Sequence, residues 1–321
     1  MPRKKKEEVV VPEIDDYIEK FAVSKIFARA KKQMNLKEWK TFAFALSAIN
    51  LAACNDNKLS VDKQDLANAI GITSDSRHLS QNLKRAIGEL PKHSYIQIDN
   101  KDKDFYESGV VITNLKMSKG IVTFTLNSEY MDLFTNCSSN YILMLSNDIY
   151  NMKTDKSPEF YEDLRLHADT RKTEKEPNSR LYTTKQLKDM FNLKDTDYMR
   201  AKGGFNRSAF EKKVLDAVCE DIVNSKLINL MMQQDSKGKC KFYEKVKKGN
   251  SVVGYRFYWT INDIDQLELE ASKALGLPEP EVKVQENNTK KPETKNSFNS
   301  FPQRNYDYSE LERMLLGGGK K

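Results

Sequence analysis

The chain has 321 residues, of which 39% are hydrophobic and 31% are charged, a balance typical of small domains with extensive exposed surface. Its longest weakly polar run, residues 41–54, is too short and too interrupted by polar side chains to cross a bilayer. The basic N-terminus lacks the apolar stretch of a secretory signal. These features argue against a membrane or secreted protein, so we expect a cytoplasmic one.

The four cysteines and three histidines form no metal-binding or catalytic pattern. Cys54, Cys137, Cys219 and Cys240 include no CxxC pair, which predicts free thiols in a reducing compartment. No histidine has metal-ligand spacing to another histidine or to a cysteine, so we expect no metal and no other cofactor. The GxxxxGK[ST] loop of P-loop ATPases is also missing from the sequence, and we predict no enzymatic activity.

The first part of the chain predicts a helix-turn-helix followed by a β-hairpin, which is the winged-helix order. After a flexible N-terminus, residues 1–20, residues 38–54 predict a buried helix because apolar residues recur at spacings of three and four. Two shorter helices follow, separated by a turn at Gly71 and ended by Pro91. The three apolar stripes are Phe42, Leu46, Ile49 and Ala53; Val61, Leu66 and Ile70; and Leu79, Leu83, Ala86, Ile87 and Leu90. The predicted strands are residues 94–98, 107–117 and 120–126.

A stretch of helix and loop separates this unit from a second one. Residues 141–152 and 159–170 are candidate helices, and residues 171–180 are typical of a polar linker. The predicted domains are therefore residues 21–150 and 151–265.

The second unit repeats the order of the first. Residues 183–193 predict a short helix, a loop follows, and residues 205–225 predict a longer helix with Asp221 at the edge of its apolar face. Three strands are then predicted, at residues 227–233, 239–249 and 251–261, and Gly249 supplies the positive φ of the last turn. We therefore predict an α+β fold of two tandem winged-helix domains followed by a disordered tail.

The tail, residues 266–321, is polar and lacks periodicity until its last segment. There, Ser309 and Glu312 form a capping-box pattern, which predicts a short amphipathic helix. Such a helix on a flexible linker is typical of a docking peptide, and the alternatives are a fraying tail or a helix that packs on its own domain. The residues expected to dock on a partner are Tyr308, Leu311, Met314 and Leu315.

The net charge of the chain is localised. Residues 184–260 contain 16 Lys and Arg against 9 Asp and Glu, an excess equal to the net charge of +7 of the whole chain. This distribution predicts a polyanionic partner, and the alternative is an ordinary lysine-rich surface. Together with the helix-turn-helix in the same segment it favours nucleic acid, and we expect duplex DNA. Arginine and asparagine at the start of a second helix are the residue types that make bidentate contacts to guanine and adenine. The candidates before and within this helix are Arg200, Lys202, Asn206, Arg207, Ser208, Lys212 and Lys213, and the candidate phosphate contacts of the hairpin are Lys239, Lys241, Lys245, Lys247 and Lys248.

Helix 205–225 has basic residues in its first half and acidic residues in its second half, opposite to the preference of the helix macrodipole. This order predicts an anionic partner at the helix N-terminus, and the alternative is that exposed charges near helix ends are screened. In the first unit, the candidate DNA contacts are Arg77, Gln81, Lys84, Arg85 and Lys119.

Several segments together resemble one family, the iteron-binding plasmid replication initiators, which are built from two winged-helix domains. The resemblance covers about residues 22–262 and is carried by SKIFARAKKQMNLKEWKTFAFALSAI, LANAIGI, GIVTFTLNSEYMDLF, FYEDLRLHADT, TTKQLKDMFNL and FEKKVLDAVCEDIV. The most specific segment is the closing hairpin KFYEKVKKGNSVVGYRFYWTI. The tail RNYDYSELERMLL is similar to C-terminal tails of replication proteins from Gram-positive bacteria and their plasmids and phages.

The resemblance implies that the target is a set of direct repeats, or iterons, in duplex DNA at a plasmid origin. It implies homodimers that repress their own promoter and monomers that open the origin. It also implies recruitment of the host replication initiator, the helicase or the helicase loader. The second domain would supply the main base contacts, from Asn206, Arg207, Lys212 and Lys213, and the first would combine phosphate contacts with dimerisation.

Two other functions remain open at this point. A winged-helix transcriptional repressor without initiation activity would have the same DNA-binding architecture but little use for a docking tail. A nicking enzyme would have to cut supercoiled origin DNA in the presence of Mg²⁺, whereas we expect the DNA to stay intact.

Overall fold

A computed structural model describes residues 20–51, 57–72, 78–100, 105–135, 141–201, 203–234, 238–264 and 266–267. In these ranges no helix is both long enough and apolar enough to cross a membrane. The predicted flexible N-terminus up to residue 19 and the predicted docking helix lie outside the described residues. So do two of the candidate DNA contacts, Arg77 and Lys202.

The first half of the chain is a winged helix with additional elements at both ends. Its elements are β1 (Lys20–Ser24), α1 (Lys25–Arg29), α2 (Leu36–Leu51), β2 (Lys58–Asp62), α3 (Lys63–Ala69), α4 (Leu79–Ile87), α5 (Leu90–His93), β3 (Tyr95–Asn100), β4 (Phe105–Val110), β5 (Ile112–Ser118), β6 (Ile121–Leu126), α6 (Asp132–Thr135), β7 (Tyr141–Leu145), α7 (Ser146–Asn151) and α8 (Ser157–Leu166).

Three helices and a three-stranded sheet form the body of this half. Helices α2, α3 and α4 pack on one another, and the antiparallel sheet has the order β2-β6-β5. Lys119 and Gly120 both have positive φ, which allows the tight turn between β5 and β6. The buried indole of Trp39 and the ring of Phe42 fix α2 in the core. The predicted buried helix is confirmed over residues 38–51, and residues 52–54 lie outside the described residues. The predicted hairpin is confirmed between β5 and β6, but the predicted strand 107–117 is two strands, because β4 pairs with β3 instead.

Two helix boundaries, the start of α3 and the end of α4, differ from those predicted from the sequence. Val61 belongs to strand β2 rather than to a helix, because Asp62 caps α3 and accepts hydrogen bonds from the backbone N–H groups of Gln64 and Asp65. Pro91 does not end the second helix, which already ends at Ile87. It lies in the first turn of α5, where its missing N–H costs nothing.

The predicted helix 141–152 is wrong in its first half. Residues Tyr141–Leu145 form strand β7, which pairs antiparallel with β1 so that Lys20 lies opposite Leu145. Only Ser146–Asn151 is helical. The partner strand lies more than a hundred residues earlier in the chain, so nothing near residue 141 distinguishes this strand from a buried helix.

The second half is another winged helix. Its elements are β8 (Asn178–Thr183), α9 (Thr184–Met190), α10 (Arg207–Phe210), a π-helical turn (Glu211–Leu215), α11 (Asp216–Val223), β9 (Ile228–Leu230), β10 (Gln233–Gln234), β11 (Cys240–Lys241), β12 (Glu244–Lys248) and β13 (Ser251–Ile261). Its main sheet has the order β12-β13-β8, and β9 also pairs with β13. The predicted α+β fold of two winged helices is confirmed.

Local capping explains where the helices of the second half begin. A capping box between Thr183 and Gln186 starts α9. The segments α10, the π-helical turn and α11 are continuous, and we refer to them together as helix 207–223. The predicted polar linker is a turn with a bridge between Thr173 and Glu176, and its last residues already belong to β8.

Helix α8 contributes to the cores of both halves. Phe160 is 1% exposed and packs edge-on against Tyr182 and Phe257 of the second half, with ring centroids 5.8 and 4.9 Å apart. On the side of the first half, Glu162 accepts a hydrogen bond from the buried ammonium of Lys32 at 2.6 Å. The buried side chains therefore form one continuous core through α8.

The environment of Glu159, a partly buried carboxyl group on α8, makes stability depend on pH. Burial raises the pKa of Glu159 to about 8; the charge of Lys32 partly offsets this rise, and the charge of Glu162 adds a smaller increase. The folded chain therefore holds a proton that the unfolded chain releases above about pH 4.5. Because the pKa is raised on folding, the free energy of unfolding falls as the pH rises from about 4.5 to about 8.

We expect Glu159→Gln, which mimics the protonated side chain, to stabilise the protein by roughly 2–4 kcal/mol at pH 8.5. The gain should shrink to below about 0.5 kcal/mol at pH 4.5. Urea unfolding at several pH values measures this difference. Glu89→Gln is the matched control, because Glu89 is exposed and should give no gain at high pH. A gain for Glu159→Gln that is the same at every pH would contradict the assignment.

Candidate nucleic-acid interface

The loop between α9 and helix 207–223 is organised around one lysine. The ammonium of Lys188 donates hydrogen bonds to the carbonyl oxygens of Asp195 and Asp197, at 3.0 and 3.1 Å. It also lies 4.8 Å from the ring centroid of Phe205. A lysine within a helix would be expected to point to solvent, so this role has no signal in the sequence.

The tip of the same loop presents Arg200. The N–H of Arg200 donates to the carbonyl of Gly204 at 2.9 Å, and Met199 is bridged to Phe205. Gly203 and Gly204 both have φ near +80°, a conformation that other residues rarely adopt. The predicted contact Arg200 is thus exposed in the loop that precedes helix 207–223.

The exposed face of the first half of helix 207–223 is basic. Ser208, Lys212 and Lys213 are exposed, whereas Phe210 and Val214 are buried. The structure therefore brings three of the predicted contact residues together on one face of this helix.

Asn206 and Arg207 serve the fold as well as the surface. The side chain of Asn206 caps the helix by accepting a hydrogen bond from the N–H of Ala209 at 3.3 Å. The guanidinium of Arg207 donates to the carbonyl of Val252 at 3.4 Å, and its buried Nε has no hydrogen-bond partner within the described part of the chain. Asparagine before a helix is a capping signal, and the sequence prediction assigned it only to base contact.

Two carboxylates join helix 207–223 to the strands behind it. Glu211 accepts hydrogen bonds from Lys245 at 2.5 Å and from the hydroxyl of Tyr255 at 3.1 Å. Asp216 accepts hydrogen bonds from Lys241 and from the hydroxyl of Tyr243. The two acids are five residues apart, and the π-helical turn between them places both on the face that meets the strands.

These contacts keep both tyrosines protonated. Burial, followed by the charge of Asp216, raises the pKa of Tyr243 well above its usual value. Burial and the charge of Glu211 do the same to the pKa of Tyr255. Each phenol therefore remains a hydrogen-bond donor to its carboxylate.

The five predicted lysines of the hairpin fall into two groups. Lys241 and Lys245 form ion pairs with helix 207–223 and stand behind it. Lys245 is nonetheless 39% exposed. Lys239, Lys247 and Lys248 are also exposed, and the last two lie beside the turn at Gly249, whose φ is +61°. The turn predicted at this glycine is confirmed.

The acidic second half of helix 207–223 has a structural explanation. Asp221 is buried, with 7% exposure, although the sequence predicts it at the edge of the apolar face of the helix. Its carboxylate accepts hydrogen bonds from the backbone N–H groups of the segment before α8. Asp216 is paired with Lys241. Tertiary partners thus account for Asp216 and Asp221, and the third acidic residue of this half is Glu220. The order of charges along the helix therefore does not by itself require an anion at the helix N-terminus.

In the first half, exposed polar residues share α4. Gln81, Lys84 and Arg85 are exposed there, opposite the buried Leu79 and Leu83. The predicted contact Lys119 is exposed in the turn between β5 and β6. The neighbouring Gly120 carbonyl accepts a hydrogen bond from the backbone of α3, which holds this turn against the helix-turn-helix.

Two family models match the chain. The model described as "Initiator Replication protein, WH1" matches residues 20–165, and the model described as "Initiator Rep protein, WH2" matches residues 183–259. Together they cover more than half of the chain. The chain belongs to the family of initiator replication proteins. The family predicted from the sequence is therefore confirmed, and we refer to the matched regions as the WH1 and WH2 domains.

Two solved structures are similar to this initiator, and the first shares its fold. The crystal structure of the Pi initiator protein in complex with iteron DNA is similar over 76% of this chain and 98% of that chain, with a TM-score of 0.51 and 14% sequence identity. A structure of domains 2 and 3 of RctB is similar over 73% of this chain and 86% of that chain, with a TM-score of 0.41 and 8% identity. Among curated proteins, none matches the initiator.

The matched models describe winged-helix initiator domains rather than catalytic domains. In the part of the initiator that the structure describes, no group of three or more His, Cys, Asp or Glu side chains could hold a metal ion. The described cysteines, Cys219 and Cys240, are free thiols, and burial raises the pKa of Cys219 well above its usual value.

Proposed function

We propose that this initiator binds direct repeats in the duplex DNA of a plasmid origin through both winged-helix domains. Family membership supports an initiator of replication. The similar Pi initiator was crystallised with iteron DNA, and its similarity spans both domains of this chain. The observation that carries the proposal is the exposed basic face of Ser208, Lys212 and Lys213 on helix 207–223.

In this proposal the WH2 domain provides sequence recognition. The first half of helix 207–223 enters the major groove, where Ser208, Lys212 and Lys213 reach base edges and phosphates. Arg200 and Lys202 precede this helix, and Asn206 and Arg207 border the contact at its N-terminus. Lys239, Lys247 and Lys248 neutralise phosphates from the hairpin, which makes the affinity strongly dependent on salt.

The WH1 domain adds contacts to the DNA backbone. Gln81, Lys84 and Arg85 on α4 and Lys119 in the turn between β5 and β6 lie on the elements that a winged helix presents to DNA. Arg77 precedes the same helix. These side chains orient the protein on the duplex, while WH2 supplies most of the sequence information.

We further propose that the initiator forms homodimers that repress its own gene and that it recruits the host replication initiator, the helicase or the helicase loader. The support is the sequence resemblance of both domains to iteron-binding initiators. The capping box and apolar stripe of the tail, Tyr308, Leu311, Met314 and Leu315, support a docking role.

A footprint on the DNA flanking the gene tests this function. We expect protection of several evenly spaced direct repeats, both by the full chain and by a chain without residues 300–321. Plasmid maintenance should require the full chain. Protection of a single palindrome at the promoter, with no effect of the truncation on any activity, would favour a repressor without initiation activity. Cleavage of supercoiled origin DNA with Mg²⁺ would overturn the non-enzymatic assignment.

A further inference from the structure

A carboxylate of the WH2 domain holds the segment that precedes α8. Asp221 accepts three hydrogen bonds on one oxygen, Oδ2: from the backbone N–H groups of Lys153 and Thr154 at 3.0 and 2.9 Å, and from the hydroxyl of Ser157 at 2.7 Å. All three donors belong to the region matched as WH1. Asp221 itself lies in the second half of the helix whose first half carries the proposed DNA contacts.

In the opposite direction, a carboxylate of WH1 accepts hydrogen bonds from the backbone of WH2. Asp148 of WH1 accepts a hydrogen bond on Oδ1 from the N–H of Lys226 at 2.7 Å, and on Oδ2 from the N–H of Leu227 at 3.1 Å. Its Oδ2 also accepts from the hydroxyl of Tyr161 on α8, at 2.9 Å. Lys226 and Leu227 lie in the turn after helix 207–223, so this helix is connected to WH1 through Asp221 and through that turn.

Both carboxylates are well protected from water. Asp148 is 4% exposed and Asp221 is 7% exposed. In a buried site, an unpaired donor or acceptor is costly, so breaking either set of hydrogen bonds is opposed by the desolvation of every group involved. The two acids therefore limit how far the proposed DNA-binding helix of WH2 can move relative to WH1.

We propose that Asp148 and Asp221 are positioning residues that set the spacing between the DNA contacts of the two domains, so that the initiator accepts only one separation of the two contacted segments. The inference rests on the proposed function. Each added base pair moves one segment by about 3.4 Å along the duplex and by about a tenth of a turn around it. Because these hydrogen bonds limit the movement between the domains, a change in spacing removes the contacts of one domain.

Binding to a series of duplexes tests this proposal. Each duplex carries one footprinted repeat, with zero, one, two or three base pairs inserted between the segments protected by WH1 and WH2. We expect the native protein to lose roughly 10- to 100-fold in affinity when one or two base pairs are inserted, which corresponds to the contacts of one domain. In Asp221→Ala the same insertion should lower the affinity by less than about threefold, relative to the affinity of this variant at the native spacing. At the native spacing the substitution itself should lower the affinity by less than an insertion costs the native protein.

Two further variants separate positioning from folding. Asp221→Asn keeps an acceptor oxygen for the three donors and should retain much of the native spacing preference. If Asp221→Ala does not fold, Asp148→Asn carries the comparison, because it places an amide group against a donor and should relax the spacing. Glu220→Ala is the matched control, since it removes an exposed acid from the same helix and should leave the spacing profile unchanged.

The outcomes distinguish this proposal from the function on which it rests. If the native protein binds no repeat, the proposed function fails. If it binds but tolerates every insertion, or if folded Asp221→Ala and Asp148→Asn variants keep the native spacing profile, only the positioning role is overturned.

Discussion

Replacing Lys212 and Lys213 together by glutamine should weaken binding to the origin repeat by roughly 2–4 kcal/mol, or about 30- to 1000-fold. Both side chains are exposed on the first half of helix 207–223, where the neighbouring apolar residues are buried. The variant loses two cations that would meet bases or phosphates, but it loses no packing. Its stability should therefore stay within about 0.5 kcal/mol of the native value.

The salt dependence gives this experiment a second readout. If both lysines neutralise phosphates, the slope of log K against log salt should become shallower by about 2 units. If they contact bases, the slope should change less, and the ratio of specific to nonspecific affinity should fall. Anisotropy titrations at several salt concentrations measure both quantities.

The matched control removes two lysines from a different surface. Lys172 and Lys175 lie in the turn segment between the domains, outside the proposed interface, so Lys172→Gln with Lys175→Gln makes the same change in net charge. Equal losses of affinity in the two double variants would mean that total charge, rather than this helix face, governs binding.

Replacing Phe160 by alanine should lower the free energy of unfolding by about 3–5 kcal/mol. Phe160 is 1% exposed, and its ring meets those of Tyr182, Phe191 and Phe257. Alanine would leave a cavity in the place where α8 joins WH2. Denaturant titration of the full chain measures the loss. Met232→Ala is the control, because Met232 is 57% exposed and should change stability by less than about 0.5 kcal/mol.

The same experiment shows whether α8 couples the two domains. The two tryptophans of the chain, Trp39 and Trp259, lie one in each domain and are fully buried. Variants that retain only one of them therefore report the unfolding of WH1 or of WH2. A shared core predicts coincident transitions. Separate transitions, or a loss below about 1 kcal/mol for Phe160→Ala, would contradict the role of α8 as a common core element.

Much of each winged helix was predictable because its signals are local. The apolar spacing of Phe42 and Leu46 and the turn at Gly249 depend on residues that are close together in the chain. The capping residue Asp62 is a local signal too, and it marks the boundary between β2 and α3. The concentration of positive charge in residues 184–260 also requires no structure.

The exposed basic face was predictable in part. Ser208, Lys212 and Lys213 lie together on the surface as helical spacing suggests. The side chains of Arg207, Lys241 and Lys245 were expected to face DNA, and in the structure they bond to the carbonyl of Val252 or to acids of helix 207–223. Their chemistry is the same in either setting, so composition could not separate a phosphate contact from an internal ion pair.

The amino-acid sequence by itself determined the two winged helices, the basic segment and the family. Only the tertiary structure decided that residues 141–145 form a strand with β1, that α8 belongs to both cores, and that Asp148 and Asp221 connect the domains. The physical reason is the distance along the chain between the residues that interact. Helical periodicity, caps and turns arise between near neighbours, whereas a strand partner or a buried carboxylate depends on which distant donors the folded chain brings within hydrogen-bonding distance.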